Sequence, residues 1–179
     1  MRREADSAAA GYIYVHDMSA RRDTMNCCLF DVKNVLAGGF EMGNIWYNEP
    51  KTLDVAFDVI GDIVLSAASQ QYGGFTVPSV DLILEPYAEK SYKKYVDKYL
   101  RLAIDKDTAE AEAFADVVRD FEQGFQGWEY KFNTVASSRG DYPFITVTAG
   151  TGTGRFAKQA TISMLNVRRR GDLVLVDEA

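Results

Sequence analysis

The chain has 179 residues, of which 47% are hydrophobic and 12% aromatic, and its formal net charge is −6. This composition supports one hydrophobic core and excludes an extensively disordered chain. The acidic balance argues against a general grip on DNA, RNA or an anionic membrane surface. No apolar run is long enough to span a bilayer, no signal-peptide pattern occurs, and the two cysteines suit a reducing compartment. We therefore expect a cytoplasmic protein that binds no nucleic acid and no membrane.

The first fifty residues read as short strand-like and irregular segments. Residues 1–10 are predicted to be a tail or the end of a helix, 12–16 have the composition of a strand, and 17–24 form a polar loop. The segment 27–35 is typical of either a strand or a short helix, and its pattern does not separate the two. Residues 41–50, rich in Gly and Asn, predict an irregular loop.

Three amphipathic helices are predicted in the middle of the chain. Apolar residues recur at helical spacing over 52–71, with Thr52 as a candidate N-cap. The same spacing continues over 80–99 and again over 105–126. The acidic start of the third helix suits the helix dipole.

Helix breakers are expected at three positions inside these segments. Pro86 should start or kink the second helix, because proline removes a backbone donor from a helix interior. Gly124 and Gly127 are expected to interrupt the third helix, because glycine has a low helix propensity.

The last part of the chain predicts a strand followed by a helix. A turn cluster covers 137–143, a strand covers 144–148, and a helix covers 156–167. The helix is expected to end at 168–171, before a short strand at 173–176. Together the elements predict a helix-rich mixed α/β fold, in which strands far apart in sequence pair through long helical crossovers.

The two cysteines, Cys27 and Cys28, are neighbours in the chain. A disulfide between them would strain the trans peptide bond, and the pair lacks the spacing of a zinc half-site. If the segment is a strand, the two thiols point to opposite faces. Two interpretations follow. Either both are small buried hydrophobic residues, or one packs in the core and the other is presented to a pocket.

A glycine-rich segment over 149–158 lies between the last predicted strand and helix, where backbone amides can bind anions. Its spacing differs from the dinucleotide fingerprint, because the third glycine comes one residue early. The region where that fingerprint needs an acidic residue contains Arg168, Arg169 and Arg170 instead. The pattern favours a tight connection over a nucleotide site.

His16 is the lone histidine of the chain. It cannot form half of a His–His metal site, and we predict no metal site. His16 is either a structural residue at a strand end or a polar contact to a nucleotide or a loop.

Short motifs occur in order along most of the chain. They are 12–17 (YIYVHD), 26–31 (NCCLFD), 38–44 (GGFEMGN), 48–51 (NEPK), 68–74 (ASQQYGG), 84–89 (LEPYAE), 132–133 (FN), 137–140 (SSRG), 143–144 (PF) and 150–156 (GTGTGRF). Together they resemble the anaerobic (class III) ribonucleoside-triphosphate reductases, which are oxygen-sensitive glycyl-radical enzymes. The resemblance covers roughly 11–170, and several motifs in register are more specific than any one of them.

The resemblance implies a ten-stranded α/β barrel with a finger loop through its centre, of which this chain is a partial segment. It implies reduction of ribonucleoside triphosphates to deoxyribonucleoside triphosphates, the precursors of DNA replication. In the family a radical-SAM activase installs a glycyl radical, which passes to a finger-loop cysteine. The resulting thiyl radical takes the 3′ hydrogen of the substrate, the 2′ hydroxyl leaves as water, and formate is the usual reductant. A second cysteine faces the substrate from a barrel strand. The match favours Cys28 for this position, with Cys27 as the alternative.

The resemblance also implies allosteric control by deoxynucleotides, which the family binds at a specificity site near a homodimer interface. Glu49 and Lys51 lie in the segment that resembles part of that site, and His16 lies near it. A lysine suits a phosphate, and a carboxylate suits donors on a ribose or base. The alternative is that Glu49 and Lys51 are loop charges in solvent.

The chain also departs from the family pattern. Its 179 residues contain no finger-loop cysteine, no glycyl-radical motif, no four-cysteine zinc site and no ATP-cone domain. We divide it into a tail or helix end at 1–10, a barrel segment at 11–170 and a divergent tail at 171–179. We expect a fragment that holds none of the family's cofactors and is inactive alone. The alternative is a non-catalytic deoxynucleotide-binding or dimerisation module derived from the reductase.

Overall fold

The computed structural model describes residues 9–10, 27–71, 73–135, 142 and 144–177, with the backbone alone for 172–177. The strand predicted at 12–16, the loop at 17–24 and nearly all of the turn cluster at 137–143 lie outside these residues. No helix in the described part of the chain is long and apolar enough to cross a membrane.

The described residues form five strands and five helices. In chain order they are β1 (Cys28–Leu29), α1 (Val32–Leu36), β2 (Phe40–Met42), β3 (Ile45–Tyr47), α2 (Leu53–Ala68), β4 (Phe75–Val77), α3 (Val80–Arg101), α4 (Lys106–Thr134), β5 (Ile145–Val147) and α5 (Arg155–Asp177).

A small parallel sheet has the strand order β1-β4-β5. Cys28 pairs with Phe75, and Phe75 pairs with Ile145. The connection from β1 to β4 passes through α2, and that from β4 to β5 passes through α3 and α4. Parallel neighbours require such long crossovers. The predicted helix-rich α/β fold with distant strands is therefore confirmed.

The ambiguous segment 27–35 contains both a strand and a helix. β1 ends at Leu29, and α1 begins at Val32. The switch occurs at Asp31, whose side chain caps α1 by accepting the N–H of Asn34 at 3.1 Å.

The prediction of an irregular loop at 41–50 is wrong for its first half. β2 and β3 form an antiparallel hairpin, joined by the two-residue turn Gly43–Asn44. Gly43 has φ +64°, the left-handed region that such tight turns demand. The rings of Phe40 and Tyr47 stack across the hairpin at 5.1 Å. The Gly and Asn residues therefore mark a turn between two short strands.

Helices α2 and α3 match the predicted segments to within a few residues. Thr52 occupies the N-cap position of α2, although its side chain makes no capping hydrogen bond. Pro86 does not start α3, because it lies inside the helix. Pro86 is exposed, and the carbonyl of the partly exposed Leu82, four residues earlier, can bind water in place of the missing N–H.

Helix α4 continues through Gly124 and Gly127, so the predicted interruption is also wrong. A Cβ atom on Gly124 would overlap the ring of Phe57 in α2. Phe57 packs at 4.9 Å ring separation against both Phe125 and Trp128. This close helix crossing outweighs the cost of glycine, about 1 kcal/mol relative to alanine.

We expect Gly124→Ala to destabilise the chain and Gly127→Ala to stabilise it. Overpacking typically costs about 1–3 kcal/mol, which exceeds the gain of up to about 1 kcal/mol in helix propensity at position 124. Nothing lies within 4 Å of a Cβ on Gly127, so there only the propensity gain remains. Urea unfolding followed by circular dichroism measures both. Equal stabilisation by the two substitutions would contradict the close crossing.

Helix α5 extends to Asp177, so the predicted end at 168–171 and the predicted strand at 173–176 are wrong. Arg168 Nη1 lies 2.6 Å from Glu129 Oε2, and Arg170 Nη1 lies 3.2 Å from Glu122 Oε2. Both acceptors belong to α4. The arginines therefore hold α5 along α4 through the position where the sequence pattern ends the helix.

The helices cover one face of the sheet. Phe75 and Val77 of β4 are fully buried and join the core that α2, α3 and α4 form. On the other face, Leu29 is 74% exposed. Side chains on successive strand residues alternate between these two faces.

Candidate functional site

The two adjacent cysteines differ in exposure, with Cys27 exposed and Cys28 half-buried. Cys28 is the direct neighbour of the buried Phe75, and its N–H donates to the carbonyl of Gly74 at 3.1 Å. Because paired residues share a face, Cys28 points toward the helices. Cys27 is exposed and directly precedes β1. The opposite orientation of the two thiols therefore stays a prediction, because it requires the strand to continue through Cys27.

Cys27 has one defined polar contact. The backbone N–H of Gly74 donates to Cys27 Sγ at 3.3 Å, which places the sulfur at the start of β4. Gly74 lies in the turn between α2 and β4, 47 residues away in sequence. No local pattern around Cys27 could have indicated this contact.

Cys28 lines a cavity of about 460 Å³ between β1, the β2–β3 hairpin and α2. Apolar side chains such as Met42 and Ile63 form much of its wall. Burial raises the pKa of the Cys28 thiol, a hydrogen bond with Gln71 opposes this, and the neighbouring Cys27 adds to the rise. Cys28 is therefore a protonated thiol near neutral pH.

We expect N-ethylmaleimide to modify Cys27 faster than Cys28, by about tenfold or more, because the thiolate is the nucleophile and access limits its reaction. Cys27 is exposed, whereas Cys28 is half-buried and has a raised pKa. Mass spectrometry of proteolytic fragments over a time course measures the two rates. In urea the rates should converge. Equal rates in the folded chain would contradict the assigned orientations.

Glu49 pairs with Lys90 of α3. Lys90 Nζ lies 2.7 Å from Glu49 Oε1 and 3.4 Å from the carbonyl of Pro50. The N–H of Gly38 donates to the other Glu49 oxygen at 3.3 Å. The hydrogen bond with Lys90 lowers the pKa of Glu49, and the Gly38 amide lowers it further. Lys90 is a contact that the sequence does not indicate.

Lys51 and His16 complete the predicted effector-binding set. Lys51 is exposed and forms no ion pair with any residue that the structure describes. Its ammonium group is therefore open to an incoming anion. His16 lies outside the described residues. Among the described residues, Glu49 forms its ion pair with Lys90.

The glycine-rich segment forms a tight connection between β5 and α5. The N–H groups of Gly150 and Gly152 donate to Asp81 Oδ2, at 3.1 Å and 2.7 Å. Asp81 belongs to the first turn of α3 and is fully buried. The sequence pattern indicates anion-binding amides here but not that the anion is a side chain of the same chain.

These elements define a helix-rich α/β protein with a parallel sheet, one face covered by helices and an exposed thiol directly before the first strand. Among known proteins this class has a specific match. The chain belongs to the anaerobic ribonucleoside-triphosphate reductase family, whose sequence model matches residues 2–174.

Individual relatives agree with this family. The chain is 36% identical over 164 residues to the anaerobic ribonucleoside-triphosphate reductase of Enterobacteria phage T4, covering 90% of this chain and 27% of the relative. It is 33% identical over 165 residues to those of Haemophilus influenzae and Escherichia coli K12, covering 90% of this chain and 23% of each relative. The chain thus spans about a quarter of the length of the curated relatives it matches.

Proposed function

We propose that this chain supplies the early strands and covering helices of an α/β barrel in an anaerobic ribonucleotide reductase, with Cys27 as its substrate-facing thiol. One observation carries the proposal: Cys27 is exposed, whereas Cys28 pairs with the buried Phe75 on the helix side of the sheet. If the strand continues through Cys27, alternation of side chains puts Cys27 on the face opposite the helices. In α/β barrels the helices form the outer layer and the strands surround the centre. The face with Cys27 then becomes the interior.

Cys28 was the favoured candidate from the sequence motif. Cys28 lies on the helix side, where it pairs with Phe75 and lines the cavity beside the hairpin. We therefore propose Cys27 in its place. In a closed barrel, Cys28 lies between the sheet and its outer layer. Cys28 then has a packing role.

The substrate is a ribonucleoside triphosphate, and Cys27 acts on its ribose as a proton donor. In the family a glycyl radical, once installed by the activase, supplies the unpaired electron for hydrogen abstraction, and formate supplies reducing equivalents. The Cys27 thiol donates its proton to the 2′ hydroxyl, which leaves as water. The Gly74 N–H, 3.3 Å from Sγ, then stabilises the negative charge left on the sulfur.

The described ranges contain no group of three or more His, Cys, Asp or Glu side chains that could hold a metal ion.

A chimeric enzyme tests the proposal. Residues 11–170 replace the matching segment of the phage T4 relative, and deoxynucleotide formation is measured anaerobically with the radical-SAM activase, formate and a ribonucleoside triphosphate. We expect the chimera to be active and the 179-residue chain to be inactive under the same conditions. The only cysteines of the 179-residue chain are the adjacent Cys27 and Cys28, so it has no separate cysteine to carry the radical. Product from the 179-residue chain would overturn the assignment of roles.

We further propose that Lys51 and Glu49 contribute to binding a deoxynucleotide effector, with Lys51 against the phosphates. Calorimetric titration of the chain with dATP and dTTP should give saturable heat, and Lys51→Ala should weaken binding about tenfold, as expected for the loss of one charged contact. Lys106→Ala is the matched control, because Lys106 is an exposed lysine at the start of α4 and lies outside the 48–51 motif. No heat at millimolar ligand would remove the effector site.

A non-catalytic module remains the second candidate, favoured by the open edges of the sheet. Within the described residues, β1 and β5 are edge strands, and apolar side chains beside them, Leu29 and Phe144, are 74% and 75% exposed. Such edges favour association, including a homodimer. Effector binding together with an inactive chimera would select this candidate.

A further inference from the structure

Glycines occupy every second position in the connection between β5 and α5, and each is required by a contact or a backbone angle. Gly150 has φ +98°, which side chains rarely tolerate. A Cβ on Gly152 would overlap Ala157 and lie 3.0 Å from Asp81 Oδ2. A Cβ on Gly154 would overlap the carboxylate of Glu85. Two of the three glycines therefore make room for carboxylates of α3.

The Asp81 carboxylate fills the concave side of this connection. Oδ2 accepts the N–H groups of Gly150 and Gly152, while Oδ1 is buried and has no hydrogen-bond partner among the described residues. A carboxylate without exposure is costly unless donors compensate it. The two amides supply that compensation on one oxygen. Asp81 thus takes the place that a phosphate oxygen occupies in anion-binding glycine loops.

The start of α3 is held in the conformation that aims Asp81 at the loop. Ser79, the N-cap residue, has φ +49°, an unfavourable angle for a residue other than glycine. Its N–H donates to Thr148 Oγ1 at 2.8 Å, and the N–H of Val80 donates to the Thr148 carbonyl at 2.8 Å. Contacts with the end of β5 therefore offset this strain and bring Asp81 to the glycine amides.

We infer that Asp81 is the built-in anion of the glycine loop and closes it to oxyanions from outside, such as inorganic phosphate. The loop binds a carboxylate of its own chain and so fixes the start of α3 to the start of α5. Glu85, one turn further along α3, adds a second negative charge at Gly154 that repels an incoming anion. This role is independent of the proposed reductase chemistry, because it involves neither cysteine.

Amide exchange and phosphate titration of the ¹⁵N-labelled 179-residue chain test the inference. In Asp81→Ala we expect the Gly150 and Gly152 amides to exchange with solvent about tenfold faster or more, as for loss of a charged hydrogen bond. Inorganic phosphate should then shift these two amide resonances saturably. In the wild-type chain the same titration should leave them unchanged. Asp97→Ala, which removes an exposed carboxylate from the same helix, should behave as the wild type.

Each outcome decides the inference. Saturable phosphate shifts at Gly150 and Gly152 in the wild-type chain would show that Asp81 does not close the loop. Unchanged exchange in Asp81→Ala would show that Asp81 does not hold it. If Asp81→Ala fails to fold, Asp81→Asn takes its place, because it keeps the side-chain shape but loses the charge. Faster exchange limited to the two glycine amides in Asp81→Asn supports the inference, and unchanged exchange there overturns it.

Discussion

Cys27→Ser in the phage T4 relative that carries residues 11–170 of this chain is expected to abolish deoxynucleotide formation. We expect the rate to fall about a thousandfold or more, as for loss of a group that takes part directly in the chemistry. A serine hydroxyl is a much weaker acid than a thiol, so it cannot donate the proton to the 2′ hydroxyl in its place. Substrate binding should change little, because serine is close to cysteine in size. Anaerobic turnover with substrate binding measured separately provides the test.

Cys28→Ser is the matched control for this prediction. The substitution is of similar size and lies on the helix side of β1, so the chimera should keep its activity to within about tenfold, with at most a small loss of stability. The opposite result, in which only Cys28→Ser abolishes turnover, would place the barrel interior on the helix side. Thermal unfolding of both variants excludes a general loss of structure as the cause.

Trp128→Ala is expected to cause the largest loss of stability among single substitutions in α4, about 3–5 kcal/mol. Trp128 is 5% exposed, and its indole N–H donates to the carbonyl of Phe57 at 2.9 Å. Its ring contacts Phe57, Phe125 and Phe132 at separations of 4.9, 5.7 and 5.6 Å. Removing it leaves a cavity at the crossing of α2 and α4. Urea unfolding of the 179-residue chain, followed by circular dichroism, measures the change.

Two further variants make this prediction specific. Trp128→Phe keeps an aromatic ring but loses the indole donor, so it should cost less, about 1–2 kcal/mol. Tyr130→Ala, at a position that is 61% exposed on the same helix, should cost less than about 1 kcal/mol. If Trp128→Ala does not fold, the ranking of the other two decides. A Trp128→Ala chain within 1 kcal/mol of the wild type would contradict the central place of this ring.

The existence of the main helices could be predicted from the sequence because periodicity is a local property. Leu53, Phe57 and Ile60 recur at helical spacing, and all three are buried in α2. The distant strands and the helical crossovers follow from the same reading, since a parallel sheet needs long connections. The family followed from several short motifs in register. The structure and the relatives confirm the family and the helix-rich α/β class.

The ends of the helices could not be predicted in this way, because packing between helices decides them. Gly124 predicts an interruption of the helix, yet it is the residue that lets α4 approach Phe57. Arg168 and Arg170 read as a helix end, yet their ion pairs hold α5 to α4. The helix propensity of each residue contributes about 1 kcal/mol or less to the free energy, and the contribution of tertiary contacts exceeds this.

For the candidate site too, some features follow from the sequence and others only from the tertiary structure. The sequence by itself determined which residue types are present: two adjacent thiols that face apart if they lie on a strand, a glutamate and a lysine in one motif, and a glycine loop suited to an anion. Only the tertiary structure decided that Cys27 is exposed while Cys28 is half-buried, that Glu49 pairs with Lys90, and that Asp81 fills the glycine loop. Glu49 and Lys90 are 41 positions apart in sequence, and Asp81 and Gly152 are 71 positions apart. The surroundings of the two thiols depend on which face of the sheet the helices cover. Such relations arise from packing, because local patterns carry no information about which distant group completes a contact.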